Sequence, residues 1–129
     1  MAEEKKPSEF IDEFLDFLKY CDKEYKECVS EVWKYDKMQQ DHLHDLEFAH
    51  NYDDRCKVAT LIHKKRNERR EFKDRVAFVE NVSKFCADKQ NKQFVDKLKK
   101  LAEDQKKAEE FIMSERHYRR RVSDEDDSD

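Results

Sequence analysis

Basic side chains interrupt an apolar stripe in the middle of the chain, between residues 58 and 79. The apolar members recur at the three-and-four spacing of one helix face and are Val58, Leu61, Ile62, Phe72, Val76 and Val79. Lys65, Glu68 and Arg69 occupy positions between them. Charged side chains at such positions reach out to solvent, form a buried polar layer with partners, or bind an anionic ligand. The function of the chain depends on which of these holds.

Two hypotheses account for a polar layer at this place. In the first, Glu68 and Glu115 pair with Arg69 and Arg116, and the layer only fixes the register of the helices. In the second, basic groups outnumber the local carboxylates and bind a phosphate, which the planar fork of arginine suits. The residues predicted to bind such a ligand are His42, His44, Lys65, Arg66, Arg69, Arg70, Lys73, Arg116, Tyr118 and Arg119.

Residue types that ligate metals occur together in the segment DHLHDLE. Asp41, His44 and Glu47 share one helix face, and His63 on the next helix is able to approach them. A di-iron bundle needs Glu-x-x-His groups from two helices and further Glu ligands, whereas this chain offers one such group. We therefore expect no metal site, and a surface His44 with Glu47 paired to Arg or Lys is favoured.

The remaining chemistry is limited by the cysteines and by the absence of glycine. Cys21, Cys28, Cys56 and Cys86 lack CxxC spacing and no long apolar run precedes them, which predicts free thiols in a reducing cytoplasm and no structural zinc. Phosphate loops and nucleophile turns that need glycine are disfavoured because the chain has none. The sequence predicts a cytoplasmic protein that is not an enzyme, has no cofactor and does not enter a membrane.

Composition indicates long helices. The 129 residues include one Pro and are 47% charged, and the apolar residues recur at helical spacing. The net charge of -4 argues against a general nucleic-acid binder, which needs a basic face. Direct DNA or RNA binding through the basic segment Lys64 to Arg75 is a weaker alternative. A chain that is locally basic and globally acidic suits a small anion better than a long polyanion.

Turn signals divide the chain into helices at about 8–49, 54–87 and 92–120, after a charged leader at 1–7. Ser8, Asn51 and Asn91 are the predicted caps, and the acidic tail at 123–129 is expected to be disordered. One heptad register follows the first helix through Ile11, Phe14, Leu18, Cys21, Tyr25, Cys28, Val32, Tyr35, Gln39, His42, Leu46 and Ala49. The predicted fold is an all-α, elongated antiparallel three-helix bundle over residues 8–122, with a long coiled-coil-like hairpin.

Antiparallel pairing predicts which residues face each other. Around the first turn the paired numbers sum to about 104, which places Gln39 opposite Lys65. Around the second turn they sum to about 180, which places Phe72 opposite Ala108 and Lys65 opposite Glu115 and Arg116. The polar interruptions of all three helices are thus expected at one level.

Three motifs carry a resemblance to a known group of proteins. They are Asp41-x-x-His44-x-x-Glu47, the run of Arg66, Arg69, Arg70, Lys73 and Asp74, and the closing Arg116-x-Tyr118. Over about Asp41 to Arg121 the chain resembles small helical accessory proteins encoded by bacteriophages and prophages. The resemblance implies a cytoplasmic protein of an infected bacterium that counters host defence, either by binding a host immune protein or by sequestering a nucleotide signal such as a cyclic ADP-ribose or a cyclic dinucleotide.

The leading prediction is a non-enzymatic protein that sequesters a small anionic nucleotide. Its phosphates would lie among the basic residues, and Tyr118, Tyr35 or Phe48 would stack on its base. The alternative is a protein-interaction module that inhibits a host defence enzyme or a nucleic-acid enzyme. Trp33 and Phe48 lie off the main stripe and indicate a second apolar face, used either for the third helix or for self-association. We also expect a homo-oligomer.

Overall fold

The computed structural model describes residues 4–114, which form three α-helices. α1 spans Pro7–Glu47, α2 spans Tyr52–Ala87 and α3 spans Lys89–Met113. They form an all-α three-helix bundle, as predicted, and no strand occurs within the described range. The 41 residues of α1 extend about 62 Å at the helical rise per residue, so the bundle is elongated. None of the three helices contains a segment long and apolar enough to cross a membrane.

α1 begins one residue earlier than its predicted start. Pro7 is its first residue, a position where proline is tolerated because its fixed φ suits a helix and its missing N–H would have no helical partner. Lys6 is the N-cap residue, and its backbone N–H donates to the Glu9 carboxylate at 3.2 Å. The prediction that Ser8 caps this helix is wrong, because Ser8 lies within the first turn and is buried.

The two connections differ in how well the sequence predicted them. Asn51 is the N-cap of α2 and accepts a hydrogen bond from the Asp54 backbone N–H at 2.8 Å, which confirms its predicted role. Asp88 alone separates α2 from α3, and its carboxylate accepts from the backbone N–H groups that begin α3. The predicted cap Asn91 is therefore wrong, and α3 starts at residue 89 instead of 92.

α1 and α2 form an antiparallel hairpin in the predicted register. The rings of Tyr35 and Phe72 lie 5.7 Å apart between centroids, and the Ser83 hydroxyl donates to the Asp22 carboxylate at 3.0 Å. Every member of the predicted α1 stripe is buried or half-buried except Phe14, which is 48% exposed. The buried apolar side chains are Leu15, Leu18, Cys21, Cys28, Val79 and Ala102.

α3 lies mainly along the first half of α1. The Glu109 carboxylate accepts from both the backbone N–H and the hydroxyl of Ser8, the first of these at 3.0 Å. Lys106 forms an ion pair with Asp12 at 2.8 Å, and Ala102 is only 3% exposed. α3 ends at Met113, before the predicted end near residue 120.

The predicted pairing of α3 with the middle of α2 is therefore wrong. Phe72 contacts Tyr35 of α1, whereas Lys106 is beside Asp12. These two levels are 23 residues of α1 apart, or about 35 Å, so Ala108 does not face Phe72. The physical reason is that α1 has a second helix-packing face, reached at Ser8 and Asp12, and α3 packs against this face instead of folding back along α2.

Candidate functional site

The predicted polar layer exists between α1 and α2, and its central carboxylate belongs to Glu68. The Tyr35 hydroxyl donates to Glu68 Oε2 at 3.0 Å, and Lys65 Nζ lies 3.3 Å from the same oxygen. The hydrogen bond from Tyr35, followed by the one from Lys65, lowers the pKa of the Glu68 carboxyl. Burial, and then the hydrogen bond to Glu68, raises the pKa of Tyr35. The layer thus keeps Glu68 ionised and Tyr35 neutral.

The two arginines of the layer also have partners on α1. Arg69 Nε donates to the Asp36 carboxylate at 2.6 Å, and Arg66 Nη1 donates to the Gln39 side-chain oxygen at 3.4 Å. Sequence reasoning missed Asp36 because it flanks the apolar stripe and is not a member of it. The pairing rule that sums to about 104 would have found it opposite Arg69. These contacts favour the hypothesis of a structural network over that of a phosphate site between the helices.

Among the described members of the layer, His42 alone has a buried side-chain polar atom without a hydrogen bond. Its buried Nδ1 atom has no partner among the described residues. The adjoining cavity measures about 10 Å³ and is lined by Tyr35, Gln39, His42, Ile62, Lys65, Arg66 and Arg69. Such a volume holds at most one water molecule. A nucleotide therefore has no space inside this layer.

The other predicted ligand-binding residues lie elsewhere. Arg70 and Lys73 are exposed on the outer side of α2, where neither forms an ion pair or a hydrogen bond with residues 4–114. His44 is exposed too, and its Nδ1 lies 3.7 Å from a Glu47 oxygen. Arg116, Tyr118 and Arg119 lie outside the described residues. Within those residues, no group of three or more His, Cys, Asp or Glu side chains is placed to hold a metal ion.

A second candidate site is formed by aromatic side chains at the opposite end of the hairpin. We call it the aromatic surface, and its members are Phe10, Phe14, Phe17, Tyr20 and Phe78, each at least 48% exposed. The Phe14 and Phe17 rings lie 6.5 Å apart, and Phe10 is one helical turn before Phe14. Phe17, Tyr20 and Phe78 line one groove of about 380 Å³ between α1 and α2. The members therefore form one continuous patch.

A cluster of charged side chains lines one side of this groove. Glu24 pairs with Arg75 across α1 and α2, and the Cys28 thiol donates to Glu24 Oε1 at 3.0 Å. The hydrogen bond from Cys28, helped by Arg75, lowers the pKa of Glu24 despite its partial burial. Burial and the hydrogen bond to Glu24 raise the pKa of Cys28 to about 11. The patch thus has a fixed polar border.

Sequence reasoning missed the aromatic surface because it assigned Phe14 to the buried stripe. The available signal was the length of the helices. In the observed register Ala87, the last residue of α2, is level with residue 17 of α1, so α1 projects beyond α2. Apolar residues of the α1 stripe before that level lose their α2 neighbour.

Comparisons with known proteins identify no relative of this chain. No protein-family model, curated protein sequence or solved structure matches this chain.

The polar layer leads to a pH-dependent prediction for Tyr35→Phe. Because the folded pKa of Glu68 is lowered from its usual 4.5, the layer stabilises the fold above about pH 4.5 and loses this contribution as pH falls through the folded pKa. Removing the Tyr35 hydroxyl should therefore destabilise the protein at pH 7 and progressively less as the pH falls below about 4.5.

Urea unfolding of wild type and Tyr35→Phe at several pH values measures the difference. Subtracting the free energy of unfolding of the variant from that of the wild type at each pH cancels the contributions of other carboxyl groups whose pKa values are lowered, such as Asp22, because both proteins contain them. A difference that does not decrease as the pH falls below about 4.5 would contradict the assigned hydrogen bond.

Proposed function

We propose that this chain is a non-enzymatic protein-interaction module and that the aromatic surface is its binding face. The observation that carries the proposal is the exposure of five neighbouring aromatic side chains in a chain of which 47% is charged. Phe78 is 91% exposed, so the rest of the chain covers almost none of its side chain. Contiguous exposed apolar surface of this kind typically marks a contact with another protein.

The occupant that fits this face is a second copy of the chain. The α1 stripe that packs against α2 continues through Phe14 after α2 has ended, so the intramolecular interface is extended by an open segment. Two such segments placed antiparallel around a two-fold axis would cover each other, because the same residues then occur on both sides. Phe10, Phe14 and Phe17 follow helix-packing spacing, which favours a helical partner.

Our second proposal is that the chain sequesters a nucleotide, at a site other than the polar layer. The closed polar layer gives it no cavity, so such a ligand would lie on the outer side of α2. Arg70 and Lys73 favour this location because they are exposed and unpaired within residues 4–114. The phage and counter-defence roles stay predictions of the resemblance alone.

Sedimentation velocity across a range of concentrations tests the interaction proposal. We expect the wild-type chain to form a dimer and the Phe14→Ser/Phe17→Ser double variant to be a monomer of unchanged helix content. A Trp33→Ser/Phe48→Ser double variant is the matched control, because it removes two exposed aromatic side chains that lie outside the aromatic surface.

Two outcomes would overturn this assignment of the surface. A wild-type chain that stays monomeric at all concentrations would exclude the second copy. A dimer that survives Phe14→Ser/Phe17→Ser and is lost in the control would move the interface to Trp33 and Phe48, where the sequence predicted it.

A further inference from the structure

A groove lies where the beginning of α3 leaves the end of α2. All three helices surround it, and its volume is about 670 Å³. The floor is apolar, with Leu15 and Leu18 from α1, Cys86 and Ala87 from α2, and Val95 from α3. Sites for small molecules commonly have volumes of about 300 to 1,000 Å³ and a mainly apolar lining. This groove is distinct from the aromatic surface.

The rim of the groove is basic. Its charged side chains are Lys19, Asp22, Lys26, Lys84, Lys92, Asp96 and Lys99. Three of the five lysines are already neutralised by carboxylates: Lys26 by Asp22 at 2.8 Å, Lys84 by Glu80 at 2.8 Å and Lys99 by Asp96 at 3.8 Å.

The other two lysines leave an excess of positive charge. Within residues 4–114, Lys19 and Lys92 form neither an ion pair nor a hydrogen bond. Lys92 is nevertheless close enough to Asp22 to contribute to the lowered pKa of that carboxyl. An additional anion at this rim would meet two cations that form no ion pair within residues 4–114.

We propose that this groove binds a long-chain carboxylate, with the hydrocarbon chain on the apolar floor and the carboxylate between Lys19 and Lys92. Charge complementarity selects the head group, because an ammonium would be repelled and an uncharged group would leave both lysines without a partner. Removal of the chain from water supplies the affinity.

The dimensions of the groove suit a single hydrocarbon chain. The floor spans Leu15 to Tyr25 of α1, which is about 15 Å of helix rise. The acidic segment at residues 123–129 has no apolar side chain to place on the floor.

Calorimetric titration with dodecanoate, kept below its micelle concentration, tests the proposal on the full chain. We expect saturable one-to-one binding by the wild type and a loss of affinity of about tenfold or more in Lys19→Gln/Lys92→Gln, since each charge-assisted contact is worth that much or more. Val95→Trp should abolish binding by filling the groove. 1-Dodecanol should bind more weakly than dodecanoate.

Lys57→Gln/Lys107→Gln is the matched control, because both side chains are exposed, away from the groove, and the change in net charge is the same. Its affinity should equal that of the wild type. Absence of saturable binding by the wild type, or equal losses in the two lysine double variants, would overturn the proposal. Neither result bears on dimer formation, which the aromatic surface controls.

Discussion

Cys56 is expected to react with a thiol reagent at pH 8 at least 100 times faster than Cys28. Cys56 is exposed on α2, whereas Cys28 is only 2% exposed and its pKa is raised to about 11. The thiolate is the reactive form, and at that pKa only about 0.1% of Cys28 is ionised at pH 8. Burial adds to this difference because the reagent has to reach the sulfur.

Time-resolved labelling followed by mass spectrometry of peptides measures the four rates separately. Cys86 is half-buried and should be intermediate, and Cys21, which is 1% exposed with a raised pKa, should be as slow as Cys28. In denaturant all four cysteines should react at similar rates, which is the internal control. Fast labelling of Cys28 in the folded chain would contradict its position between α1 and α2.

Leu18→Ala is expected to lower the free energy of unfolding by about 2 to 5 kcal/mol. Leu18 is 6% exposed and lies where α1 meets the other two helices. The substitution removes buried methyl groups and enlarges the groove beside Leu18, which the surrounding helices fill only in part. Because small domains are stabilised by only about 5 to 15 kcal/mol, the loss is a large share of the total.

Chemical unfolding monitored by circular dichroism provides the measurement, and Leu43→Ala is the control. Leu43 also lies on α1 but is 48% exposed, so its truncation should cost less than about 1 kcal/mol. Equal losses for the two variants would contradict the burial of Leu18 at the junction of the helices.

The hairpin could be predicted from the sequence because two local signals agree there. One heptad register runs from Ile11 to Ala49, and Asn51 has the chemistry of a helix cap. Together they fix the register, which the contact of Tyr35 with Phe72 confirms. Periodicity and turn chemistry were sufficient because the partner helix follows directly in the chain.

The path of α3 could not be predicted in the same way. Its direction depends on the extended conformation of the single residue Asp88, and no repeat or spacing encodes that angle. Its packing depends on a second face of α1, marked by Ser8 and Asp12, which reads in sequence as polar helix surface. Tertiary contacts of this kind are absent from any local pattern.

The sequence predicted the position of the polar layer but not all of the residues that form it. Lys65, Glu68 and Arg69 occupy the predicted level, and Asp36 supplies the acceptor that makes a ligand unnecessary there. Counting charges along one stripe overestimated the excess of positive charge, because a side chain beside the stripe reaches the interface as well.

The bond between Ser8 and Glu109 joins residues 101 positions apart in the chain. At a synthesis rate of about 5 to 20 residues per second, about 5 to 20 s pass between the synthesis of Ser8 and that of Glu109. The hairpin can close from its turn during that interval, but the opening segment of α1 lacks its contact with α3 until Glu109 has been made. A nascent chain of this protein therefore exposes Phe10, Phe14 and Phe17 before α3 is present to hold this end of α1.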